Sequence, residues 1–146
     1  MKSQTGLAIL MKTLFLSSLA IKGCVCTTRV KQITIVLAQW CPHCYPLSLD
    51  NAKKIARELG VPLRVLDIDF EDQEEAADKL VQEHGDFNED YLIPQVFLEY
   101  ENGNVKHVLT GCPEGVTVTK ECWTHFLKSD FYADLLEAQK QKRVAI

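Results

Sequence analysis

Two cysteines with two residues between them, Cys41 and Cys44 in Gln39-Trp40-Cys41-Pro42-His43-Cys44, are the residues of this chain best suited to chemistry. Neighbouring thiols at this spacing serve one of three ends: disulfide exchange, capture of a soft metal ion, or structure alone. The redox use needs the two sulfurs to differ. A cysteine opening a helix meets backbone N–H groups that lack an intrahelical acceptor and the positive end of the helix dipole, so Cys41 is expected to be the acidic, nucleophilic thiol. Cys44, one turn on, is expected to be less exposed and to resolve the mixed disulfide. Pro42 suits a first helical turn, where its missing N–H costs nothing. His43 is expected to donate a hydrogen bond or a positive charge to the Cys41 sulfur, which stabilises the thiolate and makes the disulfide the better oxidant.

Such a pair needs a strand before it and a helix after it. Ile33-Thr34-Ile35-Val36-Leu37-Ala38 reads as a short buried parallel strand that delivers the chain into Trp40-Cys41. Leu47, Ala52, Ile55, Ala56 and Leu59 then recur at helical spacing, predicting a helix from near Pro42 that stops at Gly60-Val61-Pro62. A second strand over 63–70 leads into the acidic run Glu71-Asp72-Gln73-Glu74-Glu75, which fits a first helical turn, and that helix runs to about His84-Gly85 as a solvated face. Gln95–Tyr100 and Val105–Thr110 flank Asn102-Gly103, the signature of a hairpin. A last helix over 117–128 gathers Val118, Cys122, Trp123, Phe126 and Leu127 on an apolar face. The order β-α-β-α-β-β-α predicts an α/β fold: a mixed four-stranded sheet with helices on both faces.

At 146 residues the chain holds one compact core and not two. A net charge of -4 argues against nucleic acid as a partner. The expected divisions are an apolar extension over 1–29, a domain over 30–130 and a charged helix or tail over 131–146. Within the extension, residues 6–21 are nearly all apolar or small, but Lys12 interrupts them and the run is short of the about 20 residues of a membrane span. It reads either as a signal-like segment, with Ser18-Leu19-Ala20 before the cut, or as an extra helix. Location therefore stays open between the cytoplasm, which is preferred, and export or membrane anchoring through residues 1–28.

The strand, Trp40-Cys41-Pro42-His43-Cys44, the helix, and Ile93-Pro94 about fifty residues on together resemble the thioredoxin superfamily over residues 30–128. The resemblance implies a thiol-disulfide oxidoreductase with no cofactor beyond the Cys41–Cys44 disulfide, acting on protein thiols and disulfides together with a redox partner protein. It also implies a cis peptide bond at Ile93-Pro94, packed against the active-site disulfide, and a substrate surface formed by Trp40, Ile93, Pro94, Gln95, Gly111 and Cys112. Gly111-Cys112 match the small residues that the family places beside that surface, which brings a third thiol near the pair. The Pro-His dipeptide is similar to that of the periplasmic disulfide-forming oxidases, but there is no room for the helical domain those carry, so the likeness is to the minimal thioredoxin or glutaredoxin core. Where thioredoxins have a buried acid six residues before the first cysteine, this chain has Ile35.

The other cysteines are read separately. Cys112 is either a resolving thiol or third soft ligand near Cys41, or a small half-buried residue. Cys122 reads as a buried core thiol, and a Cys112–Cys122 disulfide is not fixed by sequence. Cys24 and Cys26 are a second pair, a ligand set or part of a targeting segment. His84, His107 and His125 share no metal-ligand spacing with the cysteines and read as surface residues, so no metal site is assigned. The alternative function is a thiol-based metal-binding or metallochaperone module using Cys41 and Cys44, with or without Cys112.

Overall fold

The structure, a computed structural model, describes residues 28–144. The expectations for the N-terminal extension, and Cys24 and Cys26 with it, lie outside the described residues. Among those that are described, no helix is long and apolar enough to cross a membrane.

Four strands, β1 Val30–Leu37, β2 Leu63–Asp67, β3 Gln95–Tyr100 and β4 Val105–Thr110, form one sheet in the order β2-β1-β3-β4. β2 runs parallel to β1, from Ile33 opposite Leu63 to Leu37 opposite Asp67, while β3 is antiparallel to both β1 and β4. The mixed sheet is thus the one the element order predicts. The four described helices are α1 Leu49–Leu59, α2 Glu71–His84, α3 Val116–Leu127 and α4 Asp130–Val144.

Alternation along the central strands divides the core. Ile33, Ile35 and Leu37 join Val96 and Leu98 on one face, where Ala52, Ile55 and Leu59 of α1, Trp123 of α3 and Tyr132 of α4 cover them. Val36 and Phe97 point the other way, onto Ala77 and Val81 of α2. α4 belongs to the first face: its buried Gln139 accepts from the Val30 N–H at 3.3 Å and donates to the Val30 carbonyl at 3.0 Å, pairing the start of β1.

Two boundaries differ from the sequence reading. β2 stops at Asp67 rather than at residue 70, because the Asp67 carboxylate accepts the Asp69 N–H at 2.9 Å and its carbonyl accepts the Phe70 N–H at 3.2 Å, turning the chain. The regular helix begins at Leu49, not near Pro42. A single π-helical turn over Cys44–Ser48 precedes it, with Tyr45 extended at φ -120° and ψ 131°. Pro46 is the cause, since a proline pushes the residue before it out of the helical region and contributes no N–H. The far end of α1 meets its expectation, with Gly60 left-handed at φ 70° and the Val61 N–H returned to the Ala56 carbonyl at 3.0 Å.

Candidate functional site

β1 ends against Ala38, whose carbonyl accepts the Cys41 N–H at 3.2 Å, so Gln39 and Trp40 form a tight turn at the carboxyl end of the central strand. The Cys41 carbonyl then accepts the N–H groups of Cys44 at 3.1 Å and Tyr45 at 3.2 Å. This turn alone fixes the two sulfurs near each other. It is braced from below by Ser48, whose hydroxyl accepts the Nε1–H of the buried Trp123 at 2.8 Å and ties the turn to α3.

The two thiols are free and differ in access. Cys41 is 4% exposed and borders a surface depression of about 320 Å³; Cys44 is 0% exposed and does not reach it. Burial pushes the Cys44 thiol far above its ordinary value, its hydrogen bond with Cys41 adds to this, a backbone hydrogen bond from Ala38 opposes it, and the nearby Asp67 charge raises it further. Cys44 therefore holds its proton at neutral pH. The macrodipole of α1, expected to act at Cys41, starts instead at Leu49 beyond the broken turn.

Trp40, Pro42 and His43 line the depression on one side, and Ile93, Gly111 and Cys112 on the other. The Ile93-Pro94 bond is cis, as the family likeness implies, and the Cys41 Sγ lies 3.9 Å from the Ile93 carbonyl oxygen. Pro94 is buried behind this wall; its carbonyl accepts the Gly111 N–H at 2.8 Å. Trp40 is 67% exposed, its Nε1–H directed to Asp69 Oδ1 at 3.3 Å.

Three expectations are corrected. Gln95 is not a surface residue of the site: it is fully buried, its Nε2 donating to the carbonyls of Asp86 and Leu92 at 3.0 Å each, so it pins the loop that leads into Ile93. His43 forms no hydrogen bond to either sulfur; its Nδ1 lies 2.8 Å from Thr119 Oγ1, which also accepts the Cys112 N–H at 2.9 Å. His107 is not a surface histidine. Half-buried against the Phe97 ring, it donates from Nε2 to Thr110 Oγ1 at 2.7 Å, which in turn donates to Asp86, and burial lowers its pKa against the opposing Asp86 charge.

Two contributors escaped the sequence reading. Thr119, buried on α3, joins His43 to Cys112. Its signal was a hydroxyl beside the stripe of Val118, Cys122 and Phe126. Asp67, buried at the end of β2 opposite Leu37, is the acid whose charge reaches Cys44 and Tyr45. A carboxylate inside the otherwise apolar Val65-Leu66-Asp67-Ile68 was its signal. For a metal, Cys41 and Cys44 supply two soft donors. Among the described residues no three histidines, cysteines or acids gather to complete a set.

Comparison of the chain with family models, with curated proteins and with solved structures returns no match.

Proposed function

We propose that the chain is a thiol-disulfide oxidoreductase on a thioredoxin-like fold, exchanging electrons with protein thiols and disulfides through Cys41 and Cys44. The observation that carries this reading is the difference between two adjoining thiols: Cys41 edges the depression, while Cys44 lies beneath it, shares a hydrogen bond with Cys41 and keeps its proton. In the reductive direction the Cys41 thiolate attacks one sulfur of a substrate disulfide and the other substrate sulfur leaves as a thiolate. Cys44 then loses its proton and its thiolate attacks the Cys41 sulfur, closing the Cys41–Cys44 disulfide and releasing the second substrate thiolate. Two electrons have passed from the protein to the substrate, and the reverse sequence oxidises a substrate dithiol.

The surroundings suit a polypeptide substrate. The exposed indole of Trp40 and the 44% exposed Leu92 give the depression an apolar rim, against which an extended chain carrying the target sulfur can pack. The metal-binding reading has two soft donors in Cys41 and Cys44, and among the described residues no third histidine, cysteine or acid gathers with them.

Oxidative refolding of a reduced protein and reduction of a protein disulfide, each run with the full chain and with Cys41→Ser, test the proposal. The expected result is loss of both activities in the variant. Equal rates for the two chains would end the redox reading.

A further inference from the structure

Cys112, in the loop after β4, and Cys122, on α3, are ten residues apart in sequence, yet their sulfurs lie 3.3 Å from each other, both as free thiols. A disulfide has an S–S distance of about 2.05 Å, so closure asks for a shift of about 1.2 Å. The pair is held at this spacing by its backbone, because the Cys112 N–H is bound to Thr119 Oγ1 on the same helix as Cys122, one turn earlier. Neither sulfur is sealed in the core. Cys112 borders the Cys41 depression, and Cys122 borders a larger groove of about 750 Å³ between β4, α3 and α4.

We propose that Cys112 and Cys122 are a second redox-active dithiol, which closes to a disulfide by exchange with a low-molecular-weight disulfide such as glutathione disulfide. The Cys112 thiolate attacks one glutathione sulfur, forming a mixed disulfide and releasing the first glutathione as a thiolate. Cys122 gives its proton to solvent, its thiolate attacks the Cys112 sulfur, the mixed disulfide breaks and the second glutathione leaves. Two protein thiols are oxidised by two electrons and one glutathione disulfide is reduced to two glutathiones. Cys112 attacks first because it borders the open depression, and the hydrogen bond with Cys112 is the leading cause that raises the Cys122 thiol above its ordinary value. Proximity then favours the second step over a second glutathionylation.

This inference stands apart from the reading of Cys41 and Cys44, because the exchange needs neither of them. The test uses the full chain carrying Cys24→Ser, Cys26→Ser, Cys41→Ser and Cys44→Ser, incubated in mixtures of glutathione disulfide and glutathione, quenched with acid, alkylated with a maleimide and weighed. The expected result is a fall from two maleimides per chain to none in a monomer without bound glutathione. Trypsin cuts after Lys106, Lys120 and Lys128, so fragments 107–120 and 121–128 should be joined until a reductant is added. A further Cys122→Ser change should leave Cys112 carrying one glutathione. In the unaltered chain Cys41 and Cys44 share the tryptic fragment 32–53, so the same cross-link is read there if the fourfold variant does not fold. Chains bearing glutathione on each cysteine, or dimers through them, without the joined fragments would overturn the proposal.

Discussion

The two thiol pairs of this molecule are built in opposite ways. Cys41 and Cys44 are brought together by one local turn, closed by N–H groups of Cys44 and Tyr45 on the Cys41 carbonyl, and need the rest of the fold only to bury them. Cys112 and Cys122 meet only because α3 packs back on the sheet, with Trp123 fixed to Ser48 and Thr119 holding the Cys112 backbone. A local pair keeps its sulfurs adjacent however its surroundings change. A pair made by packing is only as close as the elements that carry it, so it is the one that conformational change can open.

That difference gives the largest expected effect. Cys41→Ser should lower exchange on a protein disulfide by roughly two orders of magnitude or more, as loss of a covalent nucleophile does. Cys112→Ser should leave most of that activity, since Cys41 and Cys44 keep their turn. A collapse of activity in Cys112→Ser equal to that in Cys41→Ser would make the two pairs one machine. Next comes Gly111→Ala, which strikes the wall the pairs share. A Cβ there would stand 2.5 Å from the Ile93 carbonyl oxygen and 2.7 Å from Pro94 Cδ, with backbone as the obstacle, so a loss of about 3 kcal/mol is expected in denaturant titration. Exchange activity should fall with it. Gly103→Ala is the contrast: its left-handed φ of 90° makes it costly by about 1–2 kcal/mol, but it faces open space and should leave activity intact.

How far each pair was legible follows from the same contrast. The Cys-x-x-Cys spacing, the β-branched strand before it and Asn102-Gly103 are local signals, and they carried the sheet order and the turn. Pro46 is equally local, but the helical recurrence of Leu47, Ala52 and Ile55 runs through it, so periodicity places the start of α1 too early. The misplaced residues all depend on tertiary packing. Gln95 alternates in a strand and gives no sign that its amide closes on Asp86 and Leu92. His107 looks like a strand residue facing water until Phe97 covers it. Cys122 read as a core thiol because its stripe on α3 is apolar, whereas the sulfur is half-buried and turned to Cys112. Periodicity reveals a face but not its neighbour across a loop.

Thr119→Val sharpens the comparison at the residue that joins Cys112 to His43, the residue between the first two cysteines. The substitution keeps the shape and removes the hydroxyl that accepts the Cys112 N–H and meets His43 Nδ1. With a backbone donor left without its partner, a loss of about 1–2 kcal/mol is expected in thermal or urea unfolding. Maleimide labelling of Cys112 should quicken, while Cys44 stays protected by its burial. Labelling of Cys44 at the same accelerated rate would mean that Thr119 supports the local turn as well.

The smallest effect separates the pairs by the reason each holds a proton. Cys44 and Cys122 are both raised above an ordinary thiol value of 9.0, but burial leads at Cys44 and the hydrogen bond from its partner leads at Cys122. Removing the partner should therefore act unequally. Cys112→Ala is expected to bring the pH midpoint of Cys122 alkylation down toward the ordinary value, whereas Cys41→Ala should leave Cys44 well above it. The same difference enters stability. A thiol whose pKa is higher in the folded than in the unfolded chain binds more protons when folded, so its contribution is complete below pH 9.0 and is lost as pH rises above that value. Unfolding titrations between pH 8 and pH 11 should show this alkaline loss, reduced more by Cys44→Ala, whose thiol carries the larger shift, than by Cys122→Ala. A Cys122 midpoint left unmoved by Cys112→Ala would mean that packing, rather than the partner thiol, protects both protons, and the distinction between a local pair and an assembled one would lose its electrostatic half.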